Sequence, residues 1–475
     1  VRVQTGGSNA VGQGMNGIMM REFKAAASGA SLLAACLGAA SGAFADSKDG
    51  IPNPSIATSL PGKGDPDGVR AALAEKGVTY GINYIGEILG NTGGLKQGVI
   101  YEGRLEGILD ADLEKLWGLK GLIFHTNVFQ IHGAGLSREN LENVFVASSI
   151  EALPTTRLYE LYLEQKLSEE TSVRFGQLAA DTEFLISTNA GNFINSTFGW
   201  PGITAVDLPS GGPAYPLATP GVRVKFEPEK NFTFLAAIFD GDPAGPGLND
   251  PQERDRYGLN FRVSDPPFLI QEAQYKYNQD KKDSGLPGTV KLGAWEHAGS
   301  FNDLRFDRQG VSIAISGFPG ASLPGNFGLY GVIDQQIYRL PGDDADKGVN
   351  LFARLSASPS DRNLIDFYAD GGFVFSGFIP QRPDDNFGIG LAYANISDQA
   401  RAFDRDVAFA QAAALPVRSF EALLEIYYKY QIVPGLVLQP DFQYIWNPGA
   451  GGVVQPNGAR VENAAIGGIR ISVNY

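Results

Sequence analysis

The last nine residues, 467–475 (GGIRISVNY), put Gly467, Ile469, Ile471, Val473 and Tyr475 on one face of an extended chain and Gly468, Arg470, Ser472 and Asn474 on the other. A period of two marks a strand with one apolar and one wet face. The pattern runs longer in 101–113. There Tyr101, Gly103, Leu105, Gly107, Leu109, Ala111 and Leu113 oppose Glu102, Arg104, Glu106, Ile108, Asp110 and Asp112, so five charges line one side of one strand. It recurs with Tyr159, Leu161, Leu163 and Leu167 against Glu160, Tyr162, Glu164 and Lys166, and with Val222, Val224 and Phe226 against Arg223, Lys225 and Glu227. Near the end, Ala422, Leu424, Ile426, Tyr428, Tyr430 and Ile432 oppose Glu421, Leu423, Glu425, Tyr427, Lys429 and Gln431. Alternation alone fits a soluble antiparallel sheet with one solvated face as well as it fits a transmembrane barrel. Tyrosines on and near the apolar faces, an aromatic last residue and an export signal together favour the barrel, with lipid outside and water inside.

The pattern predicts seventeen candidate strands: 78–90, 99–113, 121–132, 156–167, 172–179, 218–227, 231–240, 257–264, 267–278, 289–301, 327–339, 348–357, 363–376, 386–397, 419–432, 435–446 and 464–475. Bacterial barrels have even strand numbers, so one candidate is expected to be spurious or one hairpin miscounted. Residues 77–475 are read as a single all-β domain, a transmembrane antiparallel β-barrel. Residues 46–76 are a periplasmic lead-in with a short helix at 69–76. The stretch 180–218 lacks clean alternation and holds Trp200, four prolines and a cluster of Gly and Asn. Connections this long usually carry function. It is expected to fold inward as a constriction loop, with an external surface loop as the alternative.

Composition sharpens this picture. Sixty Gly, 28 Pro, 18 Tyr and 29 Phe in 475 residues suit many short strands and turns. Mean hydropathy is −0.10, and after the N-terminal region no apolar span is long enough for a membrane helix, which excludes a helical membrane protein. A barrel escapes such averages because only alternate residues touch lipid. The net charge of −14 argues against nucleic acid as a partner. Met20, Arg21 and Lys24 open a basic stretch that leads into the small-residue apolar run 25–40, and Ala43-Phe44-Ala45 supplies the small residues of a cleavage site. Residues 1–45 are therefore read as upstream residues plus a cleaved signal peptide, with translation from Met19 or Met20. Leu33-Ala34-Ala35-Cys36 competes as a lipoprotein site that would lipidate Cys36. With ordinary processing the only cysteine is lost, and the mature chain has neither disulfide nor zinc-thiolate site.

Several long stretches resemble the carbohydrate-selective outer-membrane porins of the OprB family. They are 193–202 (FINSTFGWPG), 207–221 (DLPSGGPAYPLATPG), 240–244 (DGDPA), 358–363 (SPSDRN), 379–388 (IPQRPDDNFG) and 439–449 (QPDFQYIWNPG). The resemblance extends from Arg70 to Tyr475. Gln381 departs from it, standing where Gly is expected, as does the terminal Tyr in place of the commoner Phe. The resemblance implies a 16-stranded barrel in the bacterial outer membrane that passes monosaccharides such as glucose by facilitated diffusion. It also implies contact with outer-membrane lipid, lipopolysaccharide and the barrel assembly machinery, and leaves monomer against homotrimer open.

A neutral, hydroxyl-rich sugar calls for paired donors and acceptors near aromatic faces, held weakly enough for the solute to leave. Glu102, Arg104 and Glu106, at successive inward positions, are the first candidates. Glu160, Tyr162, Arg174, Arg223 and Lys225 follow, and Trp200 is a candidate to stack on a pyranose ring. For each, the plainer reading is a solvated lumen charge or, for Trp200, an anchor that packs the loop. Catalysis finds no support: His125, His132 and His297 have no H-E-x-x-H spacing and G-x-S-x-G is absent. The run 240–245 (DGDPAG) fails as a calcium loop because Ala244 and Pro251 fall where oxygen ligands belong. No cofactor or metal is expected. A nonselective general porin and a secreted soluble β-sandwich or lectin are the alternatives.

Overall fold

The computed structural model describes residues 49–280, 283–341, 347–456 and 458–475. The candidate signal peptide and Cys36 lie outside the described residues. Sixteen strands follow one another: β1 (Val78–Gly94), β2 (Gly98–Asp112), β3 (Leu122–Gly133), β4 (Thr155–Lys166), β5 (Thr171–Leu178), β6 (Thr219–Glu229), β7 (Phe232–Phe239) and β8 (Phe268–Tyr277) form the first half. The second half comprises β9 (Gly288–Asn302), β10 (Ser322–Arg339), β11 (Gly348–Ala357), β12 (Ile365–Ser376), β13 (Asn386–Ile396), β14 (Phe420–Val433), β15 (Leu436–Trp446) and β16 (Glu462–Asn474). Each strand pairs antiparallel with its neighbours in sequence, and β1 pairs with β16 from Asn83↔Asn474 to Gly94↔Glu462, so the sheet closes on itself. This is a barrel and not a sandwich.

Strand alternation sorts the side chains as expected. Ile88, Leu105, Val224, Leu292 and Ile426 point out and are exposed, while Glu87, Glu106, Arg223, Glu272 and Glu425 point in. No described helix is long and apolar enough to cross a membrane. Aromatic pairs lie near both rims of the barrel, where a lipid interface favours them. Tyr393 stacks on Phe420 and Tyr444 meets Trp446 at one rim; Phe375 stacks on Phe387 at 4.6 Å near the other. Short connections such as 167–170, 230–231 and 434–435 share the rim that holds both chain ends. The long connections 134–154, 179–218, 240–267, 303–321, 397–419 and 447–461 share the opposite rim. Short periplasmic turns and long extracellular loops are the habit of outer-membrane barrels.

The short helix appears as α1 (Val69–Glu75), and it docks on the closing seam at the short-loop rim. Arg70 lies between two rings, its Cζ 4.4 Å from the centroid of Tyr80 and 4.8 Å from that of Tyr475, and its Nη2 donates to the Tyr80 carbonyl at 2.8 Å. The Tyr475 hydroxyl donates to the Gly64 carbonyl. One candidate strand of the seventeen, 257–264, is not a strand: it lies in the β7–β8 connection.

Candidate functional site

The 179–218 connection runs inward and is buried along most of its length, with the short helix α2 (Gly202–Asp207) inside it. Buried backbone N–H and C=O groups must find partners, and the barrel wall supplies them as charged side chains. The Glu272 carboxylate accepts from the Leu185 N–H at 2.9 Å, and Asp334 accepts from the Ser187 hydroxyl and from the Asn189 N–H. Glu425 accepts from the N–H groups of Ile194 and Asn195. Arg354 donates to the carbonyls of Leu185, Thr197 and Gly199 while paired with Asp370. The loop is thereby pinned to β8, β10, β11 and β14, from near where it rejoins the wall at β6 round to the opposite side of the barrel.

A second inward segment, 134–154, escaped the sequence reading. Its stretch 140–151 is buried apart from Glu142. Glu421 accepts from the N–H groups of Val144 and Phe145 at 2.9 and 2.7 Å, and Gln443 donates to the Ala147 carbonyl at 2.8 Å. The two segments bond to each other through Ser149 N–H to the Ile194 carbonyl and Ser196 N–H to the Val146 carbonyl. The apolar run Val144-Phe145-Val146-Ala147 in a connection between strands was the available signal, since apolar residues there must be covered by something other than lipid.

The nine sequence candidates fall into three settings. Glu102, Arg104 and Glu106 do face the lumen, but the inward segments cover them, leaving 3%, 2% and 0% exposed. The Arg104 guanidinium sits 4.4 Å from the Phe129 ring centroid and 5.2 Å from that of Tyr215, which belongs to the inward loop. Glu106 accepts from the side-chain amides of Asn83 and Asn127. Trp200 is wholly buried inside the loop and its indole Nε1 donates to the Gly211 carbonyl at 3.0 Å, so its ring faces protein and not water.

Glu160, Tyr162, Arg174 and Arg223 converge on β4, β5 and β6. Arg174 donates to Glu164 through Nε and Nη2 at 3.2 and 2.9 Å, and Arg223 bridges Glu164 at 3.1 Å and Glu183 of the loop at 2.7 Å. The Tyr162 ring lies between the Arg174 guanidinium, 4.1 Å from its centroid, and the His125 ring, stacked at 4.6 Å. Glu160 accepts from the Ala179 N–H where the loop departs. Side-chain exposure rises from 2% at Arg223 through 11% at Arg174 and 17% at Glu183 to 20% at Glu164, so the network is anchored in the wall and opens toward the lumen. Burial raises the pKa of Glu183, but the guanidinium groups of Arg174 and Arg223 outweigh it and hold this carboxyl below the usual range. Lys225 stands apart, half-exposed and paired with Glu227 at 2.7 Å. Among the described residues no cluster of His, Cys, Asp or Glu has the geometry of a metal site.

The profile of the family described as "Carbohydrate-selective porin, OprB family" matches residues 96–475. The chain belongs to that family. Porin B of Pseudomonas aeruginosa is 26% identical over 436 residues, covering 87% of this chain and 90% of the relative. The putative porin QuiX of Acinetobacter baylyi is 22% identical over 274 residues, covering 55% and 56%. The high-pH structure of Pseudomonas putida OprB superposes with a TM-score of 0.77 at 23% identity, covering 86% of this chain and 97% of that one, and shares the barrel fold. This OprB-family barrel is a channel of the outer membrane for carbohydrate diffusion.

Proposed function

We propose that the channel passes monosaccharides, glucose among them, by selective passive diffusion, and that selection occurs where the loop meets β4, β5 and β6. The Glu164, Arg174, Arg223 and Glu183 network carries this reading. It presents carboxylate acceptors and guanidinium donors held together by ion pairs, beside the Tyr162 ring, and such a cluster can accept from and donate to adjacent hydroxyls of one sugar. Because each charge already has a partner, no single group binds strongly enough to trap the solute. The wholly buried candidates Glu102, Arg104, Glu106 and Trp200 act at one remove by fixing the inward segments, and Glu160 and Arg223 anchor the network. Lys225 contributes to the field at the wall. The reading is of a channel rather than an enzyme.

Liposome swelling with glucose, a disaccharide and an uncharged amino acid tests it. Glucose is expected to enter faster than its size alone allows. Arg174→Ala, which removes charge-assisted hydrogen bonds of about 1.5–3 kcal/mol, is expected to erase that advantage by roughly tenfold while the amino acid rate changes little. Rates ordered by size alone in the unaltered protein would leave a general porin.

A further inference from the structure

The wall of this barrel has a gap beside β5, and what fills it points to a lipid. β5 ends at Leu178, where the chain turns into the lumen, and its pairing with β4 stops at Leu161↔Gln177. β4 continues to Thr155 with one edge unserved by β5. The β7–β8 connection fills that edge: the Leu158 N–H donates to the Tyr257 carbonyl at 3.0 Å, the Thr155 hydroxyl to the Arg256 carbonyl at 3.1 Å, and Arg157 Nη2 to the Asp255 carbonyl at 2.8 Å. Gln177 Nε2 bonds both the Tyr159 and Gly258 carbonyls. Approach is so close that a Cβ on Gly258, at φ +67°, would lie 1.9 Å from the Leu158 carbonyl oxygen. From there the segment crosses to the top of β7, where the Asp265 N–H donates to Asp240.

This strap carries alternate apolar residues in sequence without being a strand, and its backbone turns at Phe261, where φ is +36°. Tyr257, Leu259, Phe261 and Val263 are exposed, Val263 at 79%. They lie in the β7–β8 connection at the long-loop rim, and the strand that follows, β8, carries the exposed Leu269. Arg256 is exposed beside Tyr257, and among the described residues no carboxylate lies within ion-pair distance of it. Asp255 is turned to Arg157, and Arg262 is paired with Asp265. Exposed apolar side chains at the long-loop rim together with an uncommitted cation in the same segment match the acyl chains and the phosphorylated headgroup of a lipid.

We propose that the strap 255–263 is a docking site for an outer-leaflet glycolipid, its acyl chains on Leu259, Phe261 and Val263 and its phosphate on Arg256. The test is native mass spectrometry of the folded barrel after reconstitution in phosphatidylethanolamine vesicles containing either bisphosphorylated or fully dephosphorylated lipid A. Arg256→Glu is expected to lower retention of the phosphorylated lipid by about fivefold and to leave the dephosphorylated one unchanged. Phe261→Ser with Val263→Ser is expected to lower both, and Leu292→Ser on the lipid face of β9 to lower neither. Equal retention in the unaltered and Arg256→Glu proteins would overturn the proposal, as would equal loss in the Leu292→Ser control. Dimer formation through a Val263→Cys cross-link in place of bound lipid would assign the strap to a second copy instead. Glucose swelling is expected to stay within about twofold in every variant, so a failure here leaves the channel reading intact.

Discussion

Gln381 shows how much one position can report. Residues 379–382 (IPQR) turn tightly, with the Arg382 N–H donating to the Ile379 carbonyl at 3.0 Å and Gln381 at φ +64°. A turn with Pro second and a left-handed third residue is one where Gly fits without strain, which is why Gly is the expected residue there. Gln381→Gly is expected to raise stability in detergent by about 0.5–1 kcal/mol, the relief of left-handed strain less the added freedom of the unfolded chain, measured as a shift in thermal unfolding. Glu183 carries a pH prediction. Its folded pKa is depressed, so its clasp on Arg174 and Arg223 is fully present above the unfolded value of about 4.3 and is lost as pH falls through the lower folded value. Glu183→Gln is expected to leave the shape of the single-channel conductance profile between pH 8 and about 5 unchanged and to remove only that part of the acid response that appears below it. Neither residue announced its partner in the sequence: Glu183 lies in a segment without periodicity, and Arg174 and Arg223 stand about fifty positions apart.

At the scale of elements, the inward loop depends on the wall more than on itself. It has no regular structure beyond a few short helical turns, so its backbone groups are satisfied by Glu272, Asp334, Glu425 and Arg354. Arg354→Met removes three donations to loop carbonyls and leaves Asp370 buried without its partner, a loss of about 3–5 kcal/mol. Thermolysin cleavage within 179–218 and a larger conductance are expected, with partial rescue by adding Asp370→Leu. Glu421 and Glu425 were legible as members of a polar strand face, but their task was not, because a carboxylate facing water and one facing a loop N–H look alike in a linear pattern. The candidate strand 257–264 is the converse case. Its apolar residues alternate in sequence, but its backbone partners are the edge of β4 and a Gln side chain instead of a continuous ladder, Phe261 sits at a positive φ, and pattern alone cannot see either.

For the whole molecule the decisive contact is closure of β1 on β16, beneath which α1 is locked by Arg70 between Tyr80 and Tyr475. Arg70→Ala is expected to cost about 1–2 kcal/mol from the lost cation–π contacts and to lower the temperature of heat-modifiable gel mobility, with strand content unchanged by circular dichroism. By itself the sequence determined that the chain is built of segments that each carry a lipid face and a water face, because a period of two is a local property of extended backbone and hydrocarbon tolerates no unpaired edge; it offered seventeen such segments, and sixteen became strands. It also marked 180–218 as foreign to that pattern. Only the tertiary structure decided that this loop and 134–154 cross the lumen, that Glu102, Arg104 and Glu106 end up beneath them while Glu164 and Arg174 keep a partial opening to the lumen, and that a strap repairs the wall where β5 turns in. Those outcomes depend on which distant groups meet across the barrel, and burial of a charge is settled by what covers it, not by its neighbours in the chain.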